Sequence, residues 1–154
     1  MVYAVRAHGP ERRLALGQFL ELVHLPEEQA LKLIVLDGEF AVARLEPSRP
    51  IPAWATRGAV WSVTRTPEEL SVVCAAADVP GDARSEPGWR CLRVAGSLDF
   101  SLTGILASLT APLAKAGVSV FAVSTYDTDY LLVRQASLDQ AVGCLRAAGH
   151  EVVS

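Results

Sequence analysis

The chain has 154 residues, of which 51% are hydrophobic and 20% are charged, and its formal net charge is −3. This apolar content is enough to bury a core and excludes a disordered chain. Because the charge is slightly negative and the basic residues are scattered, we expect no nucleic-acid partner. The longest apolar runs, such as residues 118–123, are far shorter than the roughly 20 residues that span a bilayer, so we expect a cytoplasmic protein with no membrane partner.

Residues 1–30 contain one helix-like stretch at 14–23, and we assign this segment as an N-terminal arm. The next segment, 31–77, is predicted to be mainly strands. A β-rich run at 31–36, the turn Asp37-Gly38 and a second run at 39–45 predict a β-hairpin. Further on, two more strands are expected at 59–66 and 70–75, around a turn at 66–69.

Turn-forming and charged residues concentrate at 78–89, which we predict to be a linker. The remaining chain, 90–154, has the order βαββαβ. Its predicted strands are 90–96, 118–125, 129–135 and 151–153, and its predicted helices are 101–116 and 138–148. The fold class is therefore α+β, and the second half is expected to be a ferredoxin-like unit with two helices on one face of a four-stranded antiparallel sheet.

The first candidate loop leaves the strand at 90–96 and enters a helix. Unpaired backbone N–H groups and the helix dipole favour a carboxylate at such a position. The candidate ligand-binding residues here are Asp99, Phe100, Ser101, Leu102, Thr103, Gly104 and Ile105. The alternative is that Asp99 or Ser101 only caps the helix.

The second candidate loop is a polar turn between two apolar strands. Its members are Ser124, Thr125, Tyr126, Asp127, Thr128 and Asp129. A carboxylate directed at the first loop would accept an ammonium or guanidinium group, so that the two loops would complement both ends of an amino acid. The alternative is an ordinary solvated turn, in which Asp bonds to nearby backbone groups. A metal ion at Asp127 and Asp129 is disfavoured because hard cations need more oxygen ligands.

The sequence contains no motif that indicates catalysis. It lacks a nucleophile elbow, an H-E-x-x-H motif and a Gly-rich phosphate loop. The three cysteines, Cys74, Cys91 and Cys144, are widely spaced and have no histidine nearby, which does not suggest zinc. We therefore predict a protein that is not an enzyme, with no metal and no cofactor.

Residues 98–106 (LDFSLTGIL) and 124–133 (STYDTDYLLV) resemble the ACT-domain family, and more narrowly the small bacterial tandem-ACT proteins related to the eukaryotic cytosolic arginine sensor of the TOR pathway. The first half adds similar segments at 40–45, 51–54, 63–66 and 69–74. The resemblance covers residues 31–153. The D-x-x-x-x-G-I-L loop is general to ACT domains, whereas S-T-Y-x-T-D-Y is more specific to this subgroup.

This resemblance implies two ACT-like units at 31–77 and 90–154, of which the first is divergent, with a ligand at an interface between units. The expected function is that of an amino-acid-binding sensor that forms a homodimer and regulates a protein partner. By the same resemblance, the loop from Asp99 to Gly104 would hold the α-amino and α-carboxyl groups. Thr125, Tyr126 and Asp129 would line the side-chain end, for arginine or another amino acid. The alternative function is a dimeric adaptor that keeps the fold but binds no ligand.

Overall fold

The computed structural model of the protein describes residues 30–99 and 102–154. Most of the predicted N-terminal arm, including the helix-like stretch at 14–23, lies outside these residues, as do Phe100 and Ser101. The strands are β1 (Lys32–Val35), β2 (Phe40–Leu45), β3 (Ser62–Arg65), β4 (Leu70–Ala75), β5 (Ser85–Val94), β6 (Val120–Ser124), β7 (Asp129–Arg134) and β8 (Glu151–Val153). The helices are α1 (Ile105–Lys115) and α2 (Leu138–Ala147). The prediction of an α+β protein with ferredoxin-like units is confirmed.

One sheet connects all eight of these strands, in the order β3-β4-β2-β5-β1-β8, and β7 pairs with both β5 and β6. The central strand β5 is ten residues long, and this length gives it three partners. Its first part pairs with β2 and its last part with β1, so that β1 and β2 lie end to end along one edge. The other edge pairs with β7 over residues 89–93.

The hairpin predicted from 31–36, Asp37-Gly38 and 39–45 is wrong. β1 pairs with β5 and β8, and β2 pairs with β4 and β5. Gly38 has the positive φ of 84° that a turn requires, but the chain continues along β5 beyond this corner and does not fold back on itself. A local pattern of two apolar runs around Asp-Gly does not distinguish these outcomes, because the choice depends on the distant strand β5.

β1 completes the sheet of the second half. It is antiparallel to β5 and parallel to β8, with Leu33 opposite both Val94 and Val152. The predicted four-stranded sheet therefore contains an additional strand between its first and last members. β5 also begins at Ser85 rather than at the predicted residue 90, because its first residues pair with β2 despite their turn-forming composition. The assignment of units as 31–77 and 90–154 remains a prediction.

The two helices cover one face of this sheet. Ile105, Leu109 and Leu113 of α1, together with Ala141 and Leu145 of α2, are buried against β1, β5, β7 and β8. The helix predicted at 101–116 begins four residues later, at Ile105, because Gly104 adopts a left-handed conformation with φ 78°. Both helices end before glycines with positive φ, as the sequence predicts. Neither is long and apolar enough to cross a membrane, and none of the described residues forms such a helix.

A buried histidine joins β1 to α1. His150 is 8% exposed, its Nδ1 accepts the Leu31 N–H at 3.3 Å, and its Nε2 lies 3.3 Å from the Ser108 carbonyl oxygen. Pro112 lies inside α1 and has no N–H to donate to that carbonyl four residues earlier. His150 therefore replaces the hydrogen-bond donor that Pro112 removes.

Candidate functional site

The turn between β6 and β7 is held by its own threonines. The backbone N–H and the hydroxyl of Thr125 both donate to the Thr128 carbonyl, at 2.8 and 2.9 Å. The Thr128 N–H lies 3.2 Å from the Thr125 hydroxyl. Thr128 is buried, and its own hydroxyl donates to the Val94 carbonyl at 2.8 Å. The second candidate loop is thus fixed to the last residue of β5.

The segment that follows β5 meets this turn directly. The Leu98 N–H donates to the Asp127 carbonyl at 2.7 Å, and the Ser97 hydroxyl lies 3.3 Å from Asp127 Oδ1. These contacts follow from the topology, because β5 and β7 are neighbours and the chain leaves β5 where it enters β7. The structure therefore brings together the two loops that the sequence predicts separately.

The start of α1 is open at its N-cap. Gly104 takes this position and supplies no side-chain hydrogen bond to the first turn. Before it, the Leu102 N–H donates to the Asp99 carbonyl at 3.0 Å. Asp99 is not the N-cap residue, because the helix begins later and Gly104 takes that position, whereas Ser101 lies outside the described residues. Unpaired N–H groups at such a helix start favour an anion.

The two carboxylates of the turn interact with hydroxyl groups. Asp127 accepts from Ser97, and Asp129 accepts a short hydrogen bond from Ser124. Within residues 30–99 and 102–154, the ion pairs are Lys32 with Glu151, Arg44 with Glu69 and Arg134 with Glu86. Neither Asp127 nor Asp129 takes part in these ion pairs.

The predicted site residues differ in their environment. Asp99, Leu102, Thr103, Ser124, Thr125, Tyr126 and Asp127 are exposed, whereas Gly104 and Asp129 are partly buried. The side chains of Ile105 and Thr128 are buried, the first in the helix-covered core and the second on Val94. Ile105 can therefore offer only its backbone to a ligand, and Thr128 has a structural role. No group of three or more His, Cys, Asp or Glu suited to a metal occurs among the described residues.

A cleft of about 380 Å³ opens on the sheet face opposite the helices. Of the predicted site residues that the structure describes, only Ser124 and Thr125 line it. The other described lining residues are Phe40, Ala59, Val60, Trp61, Ser62, Val73, Cys91, Val123, Tyr130 and Leu132. Sequence reasoning missed these residues, because they come from strands and a loop that only the folded sheet brings together. Alternation along the strands gives the face of each side chain but not the order of the strands.

Comparison with known proteins assigns the second half of the chain to a family. Residues 84–147 match the ACT domain family. Residues 84–147 are an ACT domain. A separate family, described as an N-terminal domain, matches residues 38–82. The boundary between the two matches lies inside the segment predicted as a linker, although the pairing of β2 with β5 makes the sheet continuous there.

Two relatives are similar to this chain in sequence. The crystal structure of protein Atu0741 from Agobacterium tumefaciens has 43% sequence identity and a TM-score of 0.78, and the match covers 82% of this chain and 94% of that one. The human protein CASTOR3P is 33% identical over 96 residues, which are 54% of this chain and 59% of the human protein. The chain thus spans somewhat more than half of that curated relative.

The aspartate kinase of Clostridium acetobutylicum, described as an allosteric enzyme, shares the fold at 13% identity with a TM-score of 0.60. The match covers 79% of this chain but only 35% of the kinase. The resemblance to the ACT family is therefore confirmed by a family match, by a human relative and by fold.

Proposed function

We propose that this protein is an amino-acid sensor that binds its ligand where the loop 95–105 meets the turn 124–129, at an interface between ACT units. The observation that carries the proposal is the contact between these two segments, made by the hydrogen bonds from Leu98 and Ser97 to Asp127. One segment leads to an open helix start, and the other presents carboxylates. Together they offer opposite charges within one small region.

The ligand chemistry follows from this charge arrangement. An α-carboxylate suits the unpaired N–H groups at the start of α1, behind Gly104. A guanidinium or ammonium group suits Asp129, whose orientation is set by Ser124. Thr125 and Tyr126 would line the same end of the ligand. Arginine and lysine are therefore the first amino acids to test.

The sensor would act by stabilising one state of a homodimer or of a complex with a partner protein, since a ligand shifts an equilibrium only by its difference in affinity for the two states. It would catalyse no reaction. The ACT fold, which this chain shares with an allosteric aspartate kinase, supports a regulatory assignment. Because an interface between units needs two of them and residues 84–147 match one ACT domain, the second unit is proposed to come from another copy of the chain.

The test is isothermal titration of the full chain with arginine, lysine, leucine and phenylalanine. We expect saturable binding of at least one cationic amino acid, and we expect Asp129→Asn to weaken it about tenfold or more, since this change removes the charge but keeps the shape. Asp82→Asn is the matched control, because Asp82 is an exposed carboxylate of the segment 79–84 and lies outside the candidate loops. Sedimentation analysis with and without the bound amino acid measures the effect on the oligomer.

Flat titrations with every amino acid would overturn the sensor proposal and favour the adaptor function. One observation supports that alternative. Leu102 is 39% exposed and Tyr126 is 79% exposed, and both belong to the segments that meet at the site. Exposed large apolar side chains are typical of protein contacts. For an adaptor, replacing both residues by Ser would abolish partner capture or dimer formation, whereas Asp129→Asn would leave both unchanged.

A further inference from the structure

The cleft on the helix-free face differs in chemistry from the proposed amino-acid site. Its floor is formed by four buried side chains, namely Phe40, Val73, Cys91 and Leu132, each at most 6% exposed. These residues come from β2, β4, β5 and β7, and their positions in the strand pairing place them on one face of the sheet. A volume of about 380 Å³ is within the range of small-molecule pockets.

Both halves of the chain contribute walls to this cleft. Residues 59–61 and Ser62 come from the loop before β3 and from β3 itself, whereas Val123, Ser124, Thr125 and Tyr130 come from the hairpin of β6 and β7. Trp61 is 47% exposed at this position. A large apolar side chain that stays half in water beside a cleft is available to contact a ligand.

None of the described residues that line the cleft carries a charge. Burial raises the pKa of the Cys91 thiol to about 12, which keeps this thiol neutral at physiological pH. The other polar groups are the hydroxyls of Ser62, Ser124, Thr125 and Tyr130. A zwitterionic amino acid would lose water there without gaining a counter-ion, which is unfavourable. The cleft therefore suits a different class of ligand from the loops.

We propose that this cleft is a second binding site, which takes an uncharged, planar aromatic molecule with one hydrogen-bonding group. Three aromatic side chains, Phe40, Trp61 and Tyr130, provide surfaces for the ring. The hydroxyls of Ser62 and Tyr130 provide partners for the polar group. Ser124 and Thr125 belong both to the cleft and to the turn at the proposed amino-acid site. A ligand in the cleft would therefore contact that turn. The inference does not depend on amino-acid binding.

The test uses indole as the probe, with the full chain labelled with nitrogen-15. We expect saturable shifts of backbone amide signals at Ser62, Cys91 and Thr125, with little change at the far end of α2. Trp61→Ala should weaken the affinity for indole about tenfold, because it removes one aromatic wall. Ile51→Ala is the matched control, since Ile51 is a similarly exposed apolar residue at 51% and does not line the cleft, and it should leave the affinity unchanged.

Two further probes test the ligand class. Indole-3-acetate adds a carboxylate and should bind more weakly than indole, and cyclohexanol, which is not planar, should also bind more weakly. The proposal is overturned by shifts that do not saturate, by equal effects of Trp61→Ala and Ile51→Ala, or by tighter binding of indole-3-acetate.

Discussion

The two halves of the chain share one sheet but bury it in different ways. In the second half, α1 and α2 cover the sheet, and thirteen buried residues form a continuous core. In the first half, the described residues form two short 3-10 helices, Ala53–Thr56 and Ala76–Asp78, and a core of six buried residues, among them Leu70 and Val72. The second half therefore has the two covering α-helices of a ferredoxin-like unit, whereas the first half has a smaller core.

This difference shows how the smaller half is stabilised. β2 pairs with β5, so its backbone hydrogen bonds extend a sheet that the larger half already holds. A third buried cluster, with Phe40, Val73 and Trp89 among its members, crosses the junction on the face opposite the helices. The segment 31–35 of the first half adds Leu31 and Leu33 to the larger core of the second half. Each half thus depends on residues that the linear sequence assigns to the other.

The largest expected effect concerns thiol reactivity at the junction. Burial raises the pKa of Cys91 from the ordinary 9.0 to about 12, so at pH 8 its thiolate fraction is about a thousandfold below that of an ordinary thiol. Mass spectrometry after brief labelling with a thiol reagent should find Cys144, which is partly exposed, modified well before Cys91. Equal labelling of both would mean that β5 opens readily.

The same raised pKa gives a pH dependence. The pKa of Cys91 is higher in the folded state than in the unfolded state. Its contribution to stability is therefore complete below pH 9.0, and it is lost as the pH rises from 9.0 towards about 12. Burial, together with the nearby Asp78 carboxylate, also raises the pKa of Cys74 in the first half. The Cys91→Ala variant should lose less stability between pH 8 and pH 10 than the unmodified chain does, as measured by urea unfolding.

Among truncations of buried side chains, Leu33→Ala should be the most destabilising. Leu33 is fully buried between β5 and β8, and its truncation leaves a cavity that costs about 3–4 kcal/mol. Urea unfolding followed by circular dichroism measures this cost. Ile34→Ala, on the opposite face of β1 and partly exposed, is the control and should cost roughly half as much or less. Similar costs for both would contradict the position of β1 in the larger core.

Leu70→Ala should destabilise the protein by about 2–3 kcal/mol, since Leu70 is fully buried in the smaller core, which has less surrounding structure to hold a cavity open. Hydrogen exchange should then show faster exchange in β2, β3 and β4, while the amides of α1 and α2 stay protected. If protection falls equally throughout the chain, the two halves unfold as one cooperative unit and their different cores do not give them different stabilities.

His150→Ala should have the smallest effect, about 1–2 kcal/mol, because it removes the hydrogen bonds to Leu31 and Ser108. Pro112→Ala restores an N–H that can donate to the Ser108 carbonyl. In that background His150→Ala should cost about 0.5–1 kcal/mol less, which a double-mutant cycle by chemical denaturation detects. Additive effects would mean that Pro112 and His150 do not share the Ser108 carbonyl.

Much of the candidate site followed from local residues. The turn 124–129 and the loop that ends at Gly104 were predicted because polar groups and a glycine interrupt strongly apolar elements. The family resemblance implied only that both loops line one ligand site, and their contact through Leu98 and Asp127 was not predicted. The structural role of Thr128 was not predicted, because its partner, the Val94 carbonyl, is 34 residues away in the sequence. The sequence does not distinguish a threonine with this role from any other threonine in a turn.

The sequence by itself determined the α+β class, the βαββαβ order of the second half, the turn of β3 and β4, and the glycines that end the helices. These features depend on side-chain period and on backbone conformation, which are local properties. Only the tertiary structure decided that β1 inserts between β5 and β8, that β5 extends to Ser85, and that a cleft lies on the sheet face opposite the helices. Strand partners are chosen by long-range pairing and by the burial that it makes possible, and a local pattern does not encode either.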